Sequence, residues 1–328
     1  MLLQIPDEIW DKIDPEHNDV FRSLSTLYKS DDEALRDFIV WHGKSLQAER
    51  ERAEPLFEQY KQEFASKLRH AVEEQGLPLD LEQLETRMQD VGFAICDPLV
   101  MQLESLGGYY DVRSRTVSAA LTDPVRFKKV VFHELMHHIS RQAASTSYTD
   151  PSNPSMGRAD TIFSTGMIYS NGTRVPMWIN EAVTEQLAQI FLSASTDFDF
   201  SKAIMADFFA NKKGTYGLER DVLSVVASEL SLHTMLKAYF EDSIPTPGGD
   251  PVAATRAFWK SAVDKYGLDV VEIIETERGT LKDSAQARRL LTRFSRHTGV
   301  ALPDVLPSEI ALVTEATTSA ALRSIFGQ

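Results

Sequence analysis

The feature that most constrains this chain is a pair of histidines four residues apart, in the segment His133-Glu134-Leu135-Met136-His137. On an α-helix, residues at this spacing differ by about 40° in rotation and lie about 6 Å apart along the axis, so both imidazoles can reach one metal ion. Glu134 follows the first histidine and therefore lies beside the metal, where a general base for a metal-bound water is needed. The spacing predicts a helical metal site with hydrolytic chemistry.

The surroundings of this segment strengthen the prediction. Chance gives the pattern an expectation of roughly 0.01–0.02 in a chain of this composition. The flanking residues are apolar and favour a helix, and Asp123-Pro124 is a suitable helix start. Two histidines and a glutamate on a buried face are costly unless a metal or a network satisfies them. We therefore predict that His133 and His137 bind a metal, and that His138 lies at the surface or behind the site.

A second predicted helix, in the segment Trp178–Leu192, supplies a candidate for the third ligand. Glu181 and Glu185 lie one turn apart, next to its apolar side. Two carboxylates on the inner side of a helix are unfavourable unless a cation receives them. Glu181 is therefore predicted to bind the metal, and Glu185 to accept the outer N–H of a ligand histidine. A solvated pair of carboxylates is the alternative interpretation.

Together, the first motif and the segment Asn180-Glu181-Ala182-Val183-Thr184-Glu185 resemble the gluzincin metallopeptidases, the clan of thermolysin and aminopeptidase N. The resemblance implies a zinc ion held by His133, His137 and Glu181, with Glu134 as the general base. It covers about residues 107–240 and is specific only in the two helices. No Gly-x-Met-Glu-Asn segment of the aminopeptidase kind is present, so exopeptidase activity is not supported.

The predicted activity is zinc-dependent hydrolysis of a peptide or protein substrate, most simply by an endopeptidase. In gluzincins, a Tyr or His after the third ligand often stabilises the developing oxyanion, and Tyr216 and His233 are the main candidates. Tyr239 is a further candidate, and Arg220 could orient Tyr216 or bind a substrate carboxylate. Two other functions stay open: a non-catalytic metal-binding protein that acts through its N-terminal helices, and a zinc amidase that does not cleave peptides.

Composition excludes some partners and predicts a location. The net charge of −14 over 328 residues argues against binding to nucleic acid or to anionic membranes. No apolar run reaches the roughly 18 residues that a membrane-spanning helix needs, and the N-terminus has no secretory pattern. Cys96 is the only cysteine, so no intramolecular disulfide can form. These features predict a cytoplasmic protein, and export without a cleaved signal stays open as the alternative. A protein partner at the N-terminal helices also stays open.

The sequence predicts an α+β fold that is mostly helical, in three parts. Residues 1–90 are predicted to be helical, and Pro55 is expected to break or kink a long helix there. Residues 91–243 are predicted to form a zincin-like core with a small mixed sheet, the active-site helix and the third-ligand helix. Residues 244–328 are predicted to form a C-terminal helical region.

Within the predicted core, three segments are predicted strands: Phe93–Cys96, Gly108–Val112 and Thr116–Leu121. The last two are predicted to form a hairpin. Residues 142–177 are rich in Ser, Thr, Gly, Pro and Asn and are predicted to be a long loop between the two ligand helices, with a candidate strand at Thr165–Tyr169.

Overall fold

The computed structural model describes residues 32–75, 77, 79–96, 107–121, 123–140, 142–147, 160–165, 177–193, 216–230, 232–240, 253–276, 281 and 283–302. Over these residues the chain is α+β and mostly helical, with a small mixed sheet, which confirms the predicted class. None of the helices in this part of the chain is long and apolar enough to cross a membrane.

The helices are α1 (Asp32–Gln75), α2 (Leu81–Asp90), α3 (Pro124–Ile139), α4 (Met177–Ser193), α5 (Gly217–Glu229), α6 (Leu232–Phe240), α7 (Ala253–Tyr266), α8 (Asp269–Glu275) and α9 (Ser284–Thr298). The strands are β1 (Gly92–Ile95), β2 (Gly108–Asp111), β3 (Thr116–Ala119), β4 (Gln142–Ser147) and β5 (Asp160–Thr165). Both metal-motif segments are helical, as predicted.

The three-stranded sheet has the order β1-β3-β2, with β1 parallel and β2 antiparallel to β3. The turn between β2 and β3 is closed by Asp111, whose Oδ1 accepts the backbone N–H of Arg113 at 2.9 Å. Arg115 completes the turn with φ of 56°. The three predicted strands and their hairpin are thus confirmed.

The segment predicted as a loop between the ligand helices contains a second hairpin, so that prediction was wrong in part. Strands β4 and β5 pair antiparallel from Gln142 opposite Thr165 to Ser147 opposite Asp160. The many small polar residues of this segment favour a loop. Backbone pairing does not require apolar side chains, however, and Thr is a good strand former. The candidate strand Thr165–Tyr169 begins at the end of β5, and residues 166–176 lie outside the described part.

Helix α1 continues through Pro55, so the break that was one of the two expected effects of this proline is absent. An interior proline removes one backbone hydrogen bond and costs about 3 kcal/mol. Burial of neighbouring residues opposes that cost, since Ala53 and Phe57 are fully buried on either side. Phe57 stacks on Phe93 of β1 with ring centroids 4.7 Å apart, which ties this part of α1 to the sheet.

The core links α1 directly to the motif helix α3. The rings of Phe64 and Phe132 meet edge to face at 5.3 Å, and those of Tyr60 and Phe127 lie 6.1 Å apart. One continuous cluster of buried apolar side chains extends from Ala53 in α1 to residues of α9. The cluster therefore includes residues from all three predicted segments of the chain.

Contacts at both ends fix the position of α3. The predicted cap is present, because Asp123 Oδ1 accepts the N–H groups of Val125 and Arg126 at 3.0 and 2.9 Å. At the other end, Arg87 of α2 donates to the carbonyls of Ile139 and Ser140 at 2.6 and 2.8 Å. These contacts satisfy groups that a helix end leaves without partners, and they hold α3 against its neighbours.

Candidate metal centre

The two motif histidines converge on one point. On the buried face of α3, His133 Nε2 and His137 Nε2 lie 3.2 Å apart, and the rings meet edge to face with centroids 4.9 Å apart. This is the arrangement that the four-residue spacing predicts. Each of the two side chains keeps 10% of its surface accessible.

Glu181 joins this pair from α4, which packs against α3. Its Oε2 lies 3.4 Å from Nε2 of His133 and 3.4 Å from Nε2 of His137. The three atoms form a nearly equilateral triangle with edges of 3.2 to 3.4 Å. Tetrahedral zinc with bonds of 2.0–2.1 Å has ligand–ligand edges of about 3.3–3.4 Å. The donor set and its spacing therefore fit one face of a zinc tetrahedron.

The outer nitrogen of His133 is held by Glu185, whose Oε2 lies 2.9 Å from His133 Nδ1. A carboxylate accepts hydrogen bonds when ionised, so Nδ1 carries a proton and Nε2 is the nitrogen that faces the centre of the triangle, where it can bind a metal ion or keep a proton. Glu185 is itself held, because Gln189 donates to Oε1 at 2.9 Å and Lys129 Nζ lies 3.3 Å from the same oxygen. The sequence predicts this contact of Glu185 but not the contacts that Lys129 and Gln189 make with it.

The outer nitrogen of His137 faces a hydroxyl group instead. Thr184 Oγ1 lies 3.4 Å from His137 Nδ1 and 2.7 Å from the hydroxyl of Tyr239. Thr184 and Tyr239 are both fully buried. Sequence reasoning missed Thr184, although it follows Glu181 by three residues and therefore lies on nearly the same face of α4.

The pKa values of the site indicate a strong preference for positive charge at its centre. Burial alone would lower the pKa of His133, but its hydrogen bonds to Glu181 and Glu185 hold that pKa well above 6.5. Burial likewise opposes ionisation of Glu181, yet the neighbouring His137 and His133 hold its pKa far below 4.5. The triangle thus favours a cation, whether a proton or a metal ion.

Glu134 lies at the edge of the same centre. One of its carboxylate oxygens is within 4.8 Å of a ring nitrogen of His133 and of His137, so these three residues could themselves hold a metal ion. Burial raises the pKa of Glu134 above its ordinary value of 4.5. Glu181 provides the better third ligand, because its oxygen is equidistant from both Nε2 atoms. Glu134 is then adjacent to the ligand triangle and outside it.

Tyr216 lies next to His133 at the centre. A Tyr or His that follows the third ligand is expected to lie there, and Tyr216 is one of the main candidates from the sequence. Its ring stacks on His133 with centroids 5.7 Å apart and an angle of 16° between the planes. Burial, followed by the negative charge of Glu181, raises the pKa of its phenol above 10. The residue has φ of 55°, a left-handed conformation that is uncommon for a bulky side chain and stores strain at the start of α5.

Two of the other candidates, Tyr239 and Arg220, do not face the triangle. Tyr239 is fully buried behind His137 and bonds to Thr184 and to the carbonyl of Met136. Arg220 is buried and donates to Gln186 at 2.9 Å, so it is not an exposed group for a substrate carboxylate. The side chain of His233 lies outside the described part of the chain.

His138 is buried, which excludes the surface position, one of the two positions expected for it. Its Nε2 lies 2.7 Å from the carbonyl of Arg87, and its Nδ1 lies 2.8 Å from the hydroxyl of Tyr110. Burial lowers the pKa of His138 to about 4, so the ring is neutral near pH 7. The carbonyl can only accept, so Nε2 donates to it and Nδ1 accepts from Tyr110. This ring fastens α3 to α2 and the sheet.

Comparison of the chain with protein-family models, with curated proteins and with solved structures gave no match in any of the three. Function must therefore be argued from the side chains of this centre.

Proposed function

We propose that this protein is a zinc-dependent hydrolase that cleaves peptide bonds, with His133, His137 and Glu181 as the metal ligands. One observation carries the proposal: two imidazole nitrogens and a carboxylate oxygen converge within 3.2 to 3.4 Å of one another. With both outer nitrogens engaged by hydrogen bonds, the inner nitrogens can offer lone pairs to a metal ion held beside the Glu181 carboxylate. Only a cation makes this arrangement favourable.

Zinc is the metal best supported by the ligand types and by their spacing. Two imidazoles and one carboxylate are the ligand set of catalytic zinc sites that keep a fourth position for water or substrate. When bound, zinc polarises a substrate carbonyl and lowers the pKa of a coordinated water to about 7. The accessible tenth of each ligand side chain supports entry from solvent on one side.

Glu134 is the proposed general base. It adjoins the triangle without belonging to it, so its carboxylate can take a proton from the attacking water and deliver it to the leaving amine. Tyr216, which stacks on His133, is the proposed hydrogen-bond donor to the developing oxyanion. In this proposal Glu185 and its partners hold His133 in the tautomer that binds the metal.

A peptide is the substrate that the neighbouring sheet supports best. Strand β2 lies at one end of the sheet order, and it approaches α3 so closely that a Cβ on Gly108 would lie 2.5 Å from Val130. An extended peptide that paired with the outer edge of β2 would lie beside the helix that carries Glu134. The resemblance to gluzincins supports the same substrate class.

The test compares Glu134→Gln with wild-type protein. We expect the variant to keep one zinc per chain but to lose peptide hydrolysis by at least about 100-fold, because the base supplies about 10²–10⁴ in rate. Zinc is measured by elemental analysis, and hydrolysis by mass spectrometry on a mixed peptide library. The matched control is Glu58→Gln, which changes an exposed glutamate of α1 that pairs with Lys61.

The outcomes separate the proposal from its alternatives. Retained hydrolysis in zinc-loaded Glu134→Gln would remove Glu134 from its role as the base. A wild-type protein that binds zinc but cleaves no peptide would favour the non-catalytic or amidase alternative. Absence of zinc from wild-type protein refolded with the metal would reject the site itself.

A further inference from the structure

We propose that Thr184 and Tyr239 are positioning residues that fix the tautomer and orientation of His137 through a one-way hydrogen-bond relay. This inference rests on the proposed zinc site and deepens it. The relay runs from His137 Nδ1 to Thr184 Oγ1 at 3.4 Å, to the hydroxyl of Tyr239 at 2.7 Å, and to the carbonyl of Met136 at 3.3 Å.

The direction of the relay follows from its last member. A backbone carbonyl can only accept, so the Tyr239 hydroxyl donates to Met136. Tyr239 is then free to accept from Thr184, whose hydroxyl has one proton to give. Thr184 in turn accepts from His137, which places the proton on Nδ1 and the lone pair on Nε2. This is the tautomer that a metal at the triangle requires.

The hydrogen bonds of this network are shielded from water. Thr184, Tyr239 and Ser140 have no accessible surface, so water cannot replace a missing partner there. Ser140 donates to the carbonyl of His137 at 2.7 Å, and its backbone N–H donates to the carbonyl of Met136 at 3.1 Å. The Met136 carbonyl that ends the relay is thereby held by α3 itself.

The two ligand histidines are consequently held by different chemistry. His133 donates to Glu185, an anion that also meets Lys129 and Gln189. His137 donates to a chain of neutral hydroxyl groups. Loss of one hydroxyl should therefore loosen His137 without changing the charge of the site.

The experiment measures the zinc dissociation constant of the full-length protein by competition with a chromophoric chelator. Thr184→Val and Tyr239→Phe keep side-chain shape and each remove one hydroxyl group. Loss of a partner of this kind typically weakens metal binding by about 10–100-fold, and we expect that range for both. Thr184→Ser retains the hydroxyl and should stay within a few-fold of wild type.

A relay also makes a stronger prediction, because its members act in series. The double variant Thr184→Val/Tyr239→Phe should bind zinc no more weakly than Thr184→Val alone, whereas independent contacts would give additive losses. The matched control is Tyr60→Phe, which removes a tyrosine hydroxyl that donates to the carbonyl of Pro124 at the opposite end of α3. Its zinc affinity should equal that of wild type.

A final measurement distinguishes a change in metal geometry from a loss of packing. The unfolding free energy of each metal-free variant is measured in urea, and its cobalt-substituted form is examined by visible absorption. The relay is supported if the cobalt spectrum shifts and if the loss of zinc-binding free energy exceeds the loss of unfolding free energy in the metal-free variant. Wild-type affinity in both single variants, or additive losses in the double variant, overturns it and leaves the zinc site intact. Failure of wild-type protein to bind zinc rejects both proposals.

Discussion

At the scale of single residues, the centre is defined by its charge. Three carboxylates lie close together there: those of Glu134, Glu181 and Glu185. In the described part of the chain, the Lys129 side chain forms an ion pair with Glu185. When all three carboxylates are ionised and the two histidines are neutral, as metal binding requires, one lysine leaves a charge of −2, which a divalent metal ion would balance. A buried group of this kind without its cation would be strongly unfavourable.

The sequence allowed the prediction of those site residues whose side chains are chemically unusual on the buried face of a helix. Glu181 and Glu185 could be found because a carboxylate beside an apolar stripe needs an explanation. Thr184 could not, since a threonine in that position is ordinary in any helix. Gln189 and Lys129 are ordinary for the same reason, and only their three-dimensional contacts with Glu185 distinguish them.

A prediction at this scale concerns Glu63 on α1, which bonds to Lys67 and Lys128. Burial opposes its ionisation, but the two lysines outweigh burial and lower its pKa below 4.5. A carboxylate with a lowered folded-state pKa stabilises the fold above its unfolded pKa, and this contribution disappears as the pH falls through the folded value. Urea titrations from about pH 6 to about pH 3 should show a smaller loss of stability in Glu63→Gln than in wild type. Equal pH slopes would contradict the assignment.

At the scale of elements, the helices and the β2–β3 hairpin followed from periodicity, caps and turn residues, which are local signals. Asp123 in particular caps α3 as its sequence position indicates. Two element predictions were wrong in part, because tertiary or long-range pairing decided the outcome. Burial on either side of Pro55 keeps α1 continuous, and the β4–β5 pairing joins segments with no apolar alternation.

An element-scale prediction concerns the contact between β2 and α3. A Cβ on Gly108 would lie 2.5 Å from Val130 Cγ1 and 2.6 Å from the carbonyl oxygen of Ser118. Gly108→Ala should therefore lower the unfolding free energy by about 1–3 kcal/mol, the usual cost of overpacking.

The matched control is Gly299→Ala at the end of α9, where φ is 79° and, among the described residues other than its chain neighbours, no atom lies within 4 Å of the added methyl group. It should cost about 1 kcal/mol from backbone strain alone. Zinc affinity should fall in Gly108→Ala but not in Gly299→Ala. A Gly108→Ala protein as stable as wild type in urea would show that the strand and helix can separate.

At the scale of the whole molecule, the metal centre and the fold are expected to stabilise each other. The proposed ligands come from two helices, α3 and α4, so an ion that bridged them would favour the folded chain. A ligand that binds only the native state at 100 times its dissociation constant adds about 2.7 kcal/mol to the unfolding free energy. Thermal unfolding with and without zinc should show this gain in wild type. His137→Ala should show none, and an equal gain there would place the stabilising ion elsewhere.

The contacts of α1 with α3 and α4 have a consequence for how the proposed activity could be regulated. Lys67 of α1 donates to the carbonyl of Phe191 in α4 at 2.9 Å, and Phe64 packs on both Phe132 and Phe191. Because α1 touches both ligand-bearing helices, it acts as part of the scaffold. Proteolytic excision of α1, as in the maturation of a latent precursor, would dismantle the centre instead of unmasking it.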